Sequence, residues 1–298
     1  MRIISWNVNG LSGLLKKQQD GDQILKGTKM TSKNILQTLV DTYNPDFLCL
    51  QEIKTTRPLD IHAFVPSLQH HRIYWNCAQI GRGYSGTLIA SKRKPIGVFY
   101  NLPQDIVQQC DKEHGSTTRL NSEGRLIALY FDDFTLLNVY SPNSGFGLYR
   151  LDERTGWWER ALSLFIERLQ TKIRIDADGT TTKYKREVII VGDLNVIPDL
   201  ELDRKALQFQ DGSTTQERDC FHALLKDRSL IDSFRFLHPD SKIWSWLPPK
   251  LWRTNVMGCR IDMVLIDKDR ANKVEESKIL VYQGSDHRPI LADIKLTD

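Results

Sequence analysis

The 298-residue chain is 40% hydrophobic and 26% charged, with a formal net charge of +4 at pH 7; these are values of a folded globular protein, not of a disordered one. No apolar run approaches the roughly 18–20 residues that cross a bilayer, and Met1-Arg2-Ile3-Ile4 leads into a strand pattern, not a signal peptide. Five scattered cysteines (Cys49, Cys77, Cys110, Cys220, Cys259) with no Cys-x-x-Cys pair exclude a disulfide frame or zinc site and point to a reducing, intracellular setting.

Short runs rich in Val, Ile and Leu, bounded by turn residues, predict strands at Ile3–Trp6, Phe47–Gln51, Gly86–Ser91, Arg125–Phe131, Thr135–Tyr140, Glu187–Val191, Asp262–Ile266 and Pro289–Lys295. Asp132-Asp133 reads as a tight hairpin turn. Ser32 is placed to cap a helix carrying Ile35, Leu36, Leu39 and Val40 on one face. Leu151 to Ile173 carries Trp158, Leu162, Phe165, Ile166 and Leu169 at helical spacing. Thr214-Thr215-Gln216-Glu217 has the form of a capping box ahead of Phe221, Leu224 and Leu225. Lys16 to Met30, Asp111 to Gly124 and Asp176 to Lys185 read as exposed loops. Helices between strands at both ends, with hairpins in the middle, predict a four-layer αββα sandwich: two mixed β-sheets face to face, helices outside.

Polar residues recur at the lips of these strands. Asn7 closes the first, Glu52 the second, and Asp193 with Asn195 a third, while Asp286-His287 stands just before the last. Burying such a group alone costs roughly 2–7 kcal/mol, so each needs a hydrogen bond, an ion partner or a metal. The signals run from residue 7 to residue 287, which predicts one domain over residues 1–298. Together they suggest a metal-assisted phosphodiester hydrolase. Glu52 is the leading ligand for a hard cation such as Mg²⁺. Asp193 is placed to activate water, and Asn195, two residues on in an extended segment, points to the same side. Asp262, at the start of its strand, is the natural partner for His287, and a carboxylate on one imidazole nitrogen favours the charged ring. Taken alone, Asp193-Leu194-Asn195 also reads as a turn built on Asx side chains.

With these residues assembled, the chain resembles the exonuclease III family of apurinic/apyrimidinic endonucleases. The matching stretches are Ser5-Trp6-Asn7-Val8-Asn9-Gly10-Leu11, Leu50-Gln51-Glu52-Ile53-Lys54, Gly83-Tyr84-Ser85-Gly86, Val139-Tyr140-Ser141-Pro142-Asn143-Ser144-Gly145, Gly192-Asp193-Leu194-Asn195-Val196, Gln216-Glu217-Arg218, Arg260-Ile261-Asp262 and Ser285-Asp286-His287, in family order across the chain. The resemblance implies Mg²⁺, with Mn²⁺ as a substitute, held by Glu52 with Asn7 and Asp286 close by and Asp193, Asn195 and His287 in the same metal site. It implies that Tyr140 and Asn143 contact the scissile phosphate or assist the leaving group, that Asp193 orients water, that Asn195 steadies the phosphate, that Asp262–His287 forms a polarised pair and that Tyr84 lies against DNA. The implied reaction is incision of double-stranded DNA 5′ to an abasic site, with 3′-phosphodiesterase and 3′→5′ exonuclease action on blocked 3′ ends, by a monomer.

Several positions depart from the family pattern. Asn9 stands where many members have aspartate, and Phe146 where certain members place a DNA-contacting arginine. Cys259 occupies the place of a bulkier pocket wall, and by rough alignment Ser245 replaces an aromatic wall, with Trp244, Trp246 and Trp252 nearby to compensate. These changes predict looser abasic specificity. The competing readings are a nonspecific or retrotransposon-type endonuclease and a phosphatase of the same superfamily. A binding module without activity is expected to lack one of Glu52, Asp193, Asn195 or His287, and all four are present.

Overall fold

The computed structural model describes residues 1–16, 34–81, 83–116, 118–175, 180–199, 210–248 and 258–295. Fourteen strands are found among these residues. The first six-stranded sheet comprises β1 (Arg2–Asn7), β2 (Phe47–Gln51), β3 (Arg72–Asn76), β4 (Thr87–Ser91), β13 (Val274–Ile279) and β14 (Ile290–Ile294), in the order β13-β14-β1-β2-β4-β3. The second comprises β5 (Gly97–Tyr100), β6 (Leu126–Tyr130), β7 (Phe134–Tyr140), β10 (Glu187–Asp193), β11 (Leu230–Asp232) and β12 (Asp262–Asp267), in the order β11-β12-β10-β7-β6-β5. Each sheet has one parallel pair at its centre, β1 with β2 and β7 with β10, and its other pairs are antiparallel.

Alternation along the strands builds three apolar layers, because successive side chains point to opposite faces. Ile3, Phe47, Cys49 and Ile89 meet Leu136, Ile189, Val191 and Val264 between the sheets. Ile4, Trp6, Leu48 and Leu50 face outward onto α1 (Leu11–Lys16) and α2 (Ile35–Tyr43). Leu137, Val139, Val188 and Ile190 face outward onto α4 (Gln104–His114), α5 (Glu159–Gln170) and α6 (Thr215–Asp227), with α3 (Ile61–Phe64) lying on the other side of the molecule. Both faces of each central strand are thus buried, which is why they read as continuous apolar runs. The expected αββα sandwich is present.

All eight expected strands occur, within one or two residues of their predicted ends. The helix at residue 35 is capped by Asn34, whose side chain accepts from Gln37 N–H; Ser32, expected as the cap, lies outside the described residues, as do residues 17–30 of the first expected loop. The long helix expected over Leu151 to Ile173 opens as a π-turn at Glu153–Trp158 and ends at Gln170, where the β-branched Thr171 enters β8 (Thr171–Ile175). Asp111 to Gly124 is not a loop: it holds the last turn of α4 and a 3₁₀ turn at Thr118–Ser122. Nor is the Asp176 to Lys185 stretch wholly irregular, because β9 (Thr181–Lys185) pairs antiparallel with β8 as a separate hairpin.

Candidate active site

The topology gathers the strand lips at one edge. Asn7, Tyr140 and Asp193 end β1, β7 and β10, and Glu52 directly follows β2. Asp262 opens β12, which runs antiparallel to β10 so that Asp262 pairs with Asp193, and His287 precedes β14, antiparallel to β1. The C-terminal ends of parallel strands and the N-terminal ends of antiparallel ones therefore share a cleft of about 320 Å³ astride the two sheets.

Four short local turns aim these side chains. Asn9 N–H donates to Asn7 Oδ1 (3.1 Å), Gly145 N–H to Asn143 Oδ1 (2.7 Å), Asn195 N–H to Asp193 Oδ1 (2.9 Å), and His287 N–H to Ser285 Oγ (3.2 Å). Such i to i+2 bonds replace backbone pairing where a strand stops and fix the polar side chain at the bend. The Asx-turn reading of Asp193-Leu194-Asn195 is therefore correct, and the expected extended path is not: Asn195 has φ +48°. Asn9, Glu52 and Lys54 are left-handed too, a conformation that costs a non-glycine residue roughly 1–2 kcal/mol. Gly192 allows β10 to pass β7 closely at the site, where any Cβ would collide with the Val139 carbonyl.

Asp193 lies at the centre. Its Oδ2 accepts from Asn7 Nδ2 (2.8 Å) and stands 3.8 Å from His287 Nε2. Burial, opposed by His287 and reinforced by Asp262, pushes its carboxyl up to about 7. His287 Nδ1 bonds Asp262 Oδ2 at 2.8 Å. Burial works against its charge, but the Asp262 and Asp193 carboxylates outweigh it and raise the imidazole to about 10. Burial also acts to raise Glu52, yet hydrogen bonds from Asn7 (2.9 Å) and Lys54 (2.8 Å) hold its carboxyl below the usual range. Tyr140 hydrogen-bonds Glu52, and burial beside that carboxylate keeps its phenol protonated far above its ordinary range.

Glu52, Asp193 and His287 offer ligand atoms that lie within 4.8 Å of one another. The two carboxylates of this set suit a hard divalent cation. Asn7, expected as a ligand, turns its N–H₂ to both carboxylates and accepts Asn9 N–H at Oδ1, so it orients the acids. Asp286 lines the same cleft, and a chain ties it to Glu52: its Oδ1 accepts from Asn9 Nδ2 (2.9 Å), Asn9 Oδ1 accepts from Lys54, and Lys54 pairs with Glu52. Asn195 holds Ser141 O through Nδ2 (2.9 Å) and accepts from Asn143 Nδ2 (3.1 Å), which places both amides on the cleft wall.

The Tyr84 side chain is half-exposed, and its hydroxyl accepts from Arg125 (2.8 Å) and Arg150 (3.1 Å). Ser245 is no wall residue: it is fully buried, and its Oγ accepts from Ile261 and Asp262 N–H, steadying the start of β12. Trp246 and Cys259 do line the cleft beside Ile197 and Ile261, forming its apolar side; Trp252 lies outside the described residues. Sequence reasoning missed two buried arginines. Arg125 donates to Tyr140 O (3.0 Å) and stacks 4.8 Å from its ring, and Arg154 donates to Leu194 O (2.7 Å), bracing the Asp193 turn.

This fold and this cleft define a hydrolase class: the chain belongs to the endonuclease/exonuclease/phosphatase family, whose model matches residues 4–287. Within it the chain is similar to the exodeoxyribonuclease of Bacillus subtilis, 32% identical over 97% of this chain and 98% of that protein. It is also similar to the DNA repair nuclease APEX1 of Danio rerio, 31% identical over 97% of this chain and 81% of that one. Among solved structures, the AP endonuclease LMAP from Leishmania major matches with a TM-score of 0.74 at 25% identity, covering 98% of this chain and 86% of that one.

Proposed function

We propose that this protein is a Mg²⁺-dependent DNA repair nuclease that incises duplex DNA on the 5′ side of abasic sites, with 3′-phosphodiesterase and 3′→5′ exonuclease activity. The observation that carries this reading is the convergence of Glu52, Asp193 and the Asp262–His287 pair in one buried cleft. Mg²⁺, with Mn²⁺ as a substitute, held at Glu52 and Asp193, supplies charge neutralisation for the phosphate oxygens when bound. Asp193, held by Asn7 Nδ2 and facing His287, takes a proton from the attacking water. His287, charged through Asp262, points Nε2 toward Asp193 and donates to the phosphoryl oxygen that gains charge. Tyr140, neutral, hydrogen-bonded to Glu52 and anchored over Arg125, lines the cleft on the leaving-group side, while Asn143 and Asn195 hold the phosphate.

The apolar side of the cleft favours the abasic substrate. Ile197, Trp246, Cys259 and Ile261 offer no hydrogen-bond pattern for a base, yet suit a sugar that lacks one. The cleft draws on residues 7 to 287, and we read it as a single catalytic domain over residues 1–298 acting as a monomer. Among the described residues no helix is long and apolar enough to cross a membrane.

The test is a labelled duplex carrying one tetrahydrofuran abasic analogue beside an undamaged duplex, each with Mg²⁺ or EDTA. Metal-dependent incision at the analogue, lost in Asp193→Asn, is expected. Equal cutting of both duplexes would refute lesion recognition, and no cutting of either would refute the DNA reading.

A further inference from the structure

Glu217 belongs to the capping box that starts α6, yet it is 1% exposed and carries more bonds than a cap requires. Its Oε2 does the capping, accepting from Thr214 N–H (3.0 Å) and Thr214 Oγ1 (2.7 Å). Its Oε1 serves no helix: it accepts from Ser144 Oγ (2.5 Å) and Gly212 N–H (3.0 Å). Four donors thus converge on one buried carboxylate and offset the cost of taking it out of water. A cap alone needs neither of the Oε1 bonds and gains nothing from the burial.

Both Oε1 partners belong to segments that wall the catalytic cleft. Ser144 is fully buried and directly follows Asn143, which lines the cleft and donates through Nδ2 to Asn195 Oδ1 (3.1 Å). Gly212 lines the cleft with Gln210 and Asp211, in a turn closed by Ser213 N–H to Gln210 O (3.0 Å). The Gly212 carbonyl accepts from Ile197 N–H (2.7 Å). Its φ of +79° and a close approach to the Asn195 carbonyl, 3.1 Å from where a Cβ would stand, leave no room for a side chain. One oxygen atom therefore joins the loop that carries Asn143 to the turn on which Asn195 and Ile197 rest. We propose that Glu217 is a positioning residue of the reaction: it clamps the Asn143 loop to the Gln210–Gly212 wall and so holds Asn143 and Asn195 at one spacing for the phosphate. The proposal rests on the DNA reading above and extends it to a residue that does not itself line the cleft.

The experiment measures incision of the tetrahydrofuran duplex by the full chain in Mg²⁺. Ser144→Ala is the deciding variant, because it cuts the clamp at its far end and leaves the Thr214 capping bonds in place. Its kcat is expected to fall at least about fivefold at nearly constant KM, short of the roughly 100-fold that a 1 Å misplacement can cost, with Tm lowered by only a few degrees. Glu217→Gln, whose carboxamide has one acceptor oxygen for the same donors, is expected to lose at least as much kcat and more Tm. Single-turnover incision in an Asn143→Ala background separates positioning from mere structure. With Asn143 gone, adding Ser144→Ala is expected to slow the reaction by less than about twofold, whereas a purely structural bond slows both backgrounds by the same factor. A smaller kcat loss in Ser144→Ala, or equal slowing in the two backgrounds, would overturn the clamp. A wild type that cuts the analogue no faster than Ser144→Ala refutes only the clamp. A wild type that cuts no DNA refutes the proposed function and the clamp with it.

Discussion

Gln51 and Asn138 meet through a 2.6 Å hydrogen bond in the apolar space between the two sheets. Gln51 also donates to Ser5 (2.9 Å), and Asn138 Nδ2 donates to the carbonyls of Leu50 and Leu88 (3.1 and 3.0 Å). Gln51 precedes Glu52 and Asn138 lies two residues before Tyr140, so this network sets how the halves of the cleft face each other. Asn138→Leu strands several buried polar groups, each worth roughly 1–3 kcal/mol when unpaired. We expect a fall in unfolding free energy of about 2–4 kcal/mol together with a tenfold or greater loss in kcat at nearly constant KM. Denaturant titration and steady-state incision kinetics measure both, and a variant that loses stability but keeps full kcat would limit the network to a structural role.

Asp193 is expected to exchange stability for activity. Its folded value of about 7 lies above the ordinary 3.8. The stability it contributes is therefore present below pH 3.8 and lost as pH rises through about 7. At pH 8 and without metal, Asp193→Asn should melt a few degrees above wild type while incision drops on the order of 10²–10⁴-fold. A variant with lower Tm would show that the carboxylate stabilises the cleft.

The same linkage governs His287. Its folded value of about 10 exceeds the ordinary 6.5, so its contribution is complete below pH 6.5 and disappears as pH rises through about 10. Metal-free wild type should lose stability across that window, with a slope of at most about 1.4 kcal/mol per pH unit from this proton. His287→Gln should flatten the profile there. An imidazole NMR titration midpoint near 6.5 would contradict the charged pair.

Removing the metal should leave a measurable mark in the ground state. Mg²⁺ is expected to raise Tm in a concentration-dependent way that follows its affinity, and EDTA to reverse it. Glu52→Gln should abolish most of that shift. Full stabilisation of the variant by Mg²⁺ would move the ion away from Glu52.

Cys259 leaves the apolar wall of the cleft short. Cys259→Leu should narrow the slot beside Trp246 and increase the preference for the analogue over undamaged duplex by about tenfold, the scale of one or two methylenes in a fitted pocket. The ratio of kcat/KM for the two duplexes measures it, and an unchanged ratio would place discrimination elsewhere.

The sandwich was legible because its central strands are buried on both faces and announce themselves as apolar runs ending in Asn, Glu or Asp. The edges were not. In β3, Arg72-Ile73-Tyr74-Trp75-Asn76 is half-exposed along most of its length, and β5 exposes Phe99 and Tyr100, so neither gives a run. In α4 only Ile106, Val107 and Cys110 are buried, too few to show a period. At the site, the carboxylates and His287 were readable from position at the strand lips. The devices that aim them were hidden. A buried Arg154 or Asn138 is spelled like a surface one, and the direction in which Asn7 presents its amide depends on carboxylates 45 and 186 residues away.

The placement of β14 next to β1 ties the chemistry of the cleft to the integrity of one strand pair. Glu52 follows β2, and Asp193 and Asp262 belong to β10 and β12, whereas His287 is carried in by the segment that leads into β14. Fraying of β14 from β1 would withdraw the imidazolium from Asp193 and Asp262 together and leave three acids to repel one another, so the active cluster and the β1–β14 pair stand or fall as one.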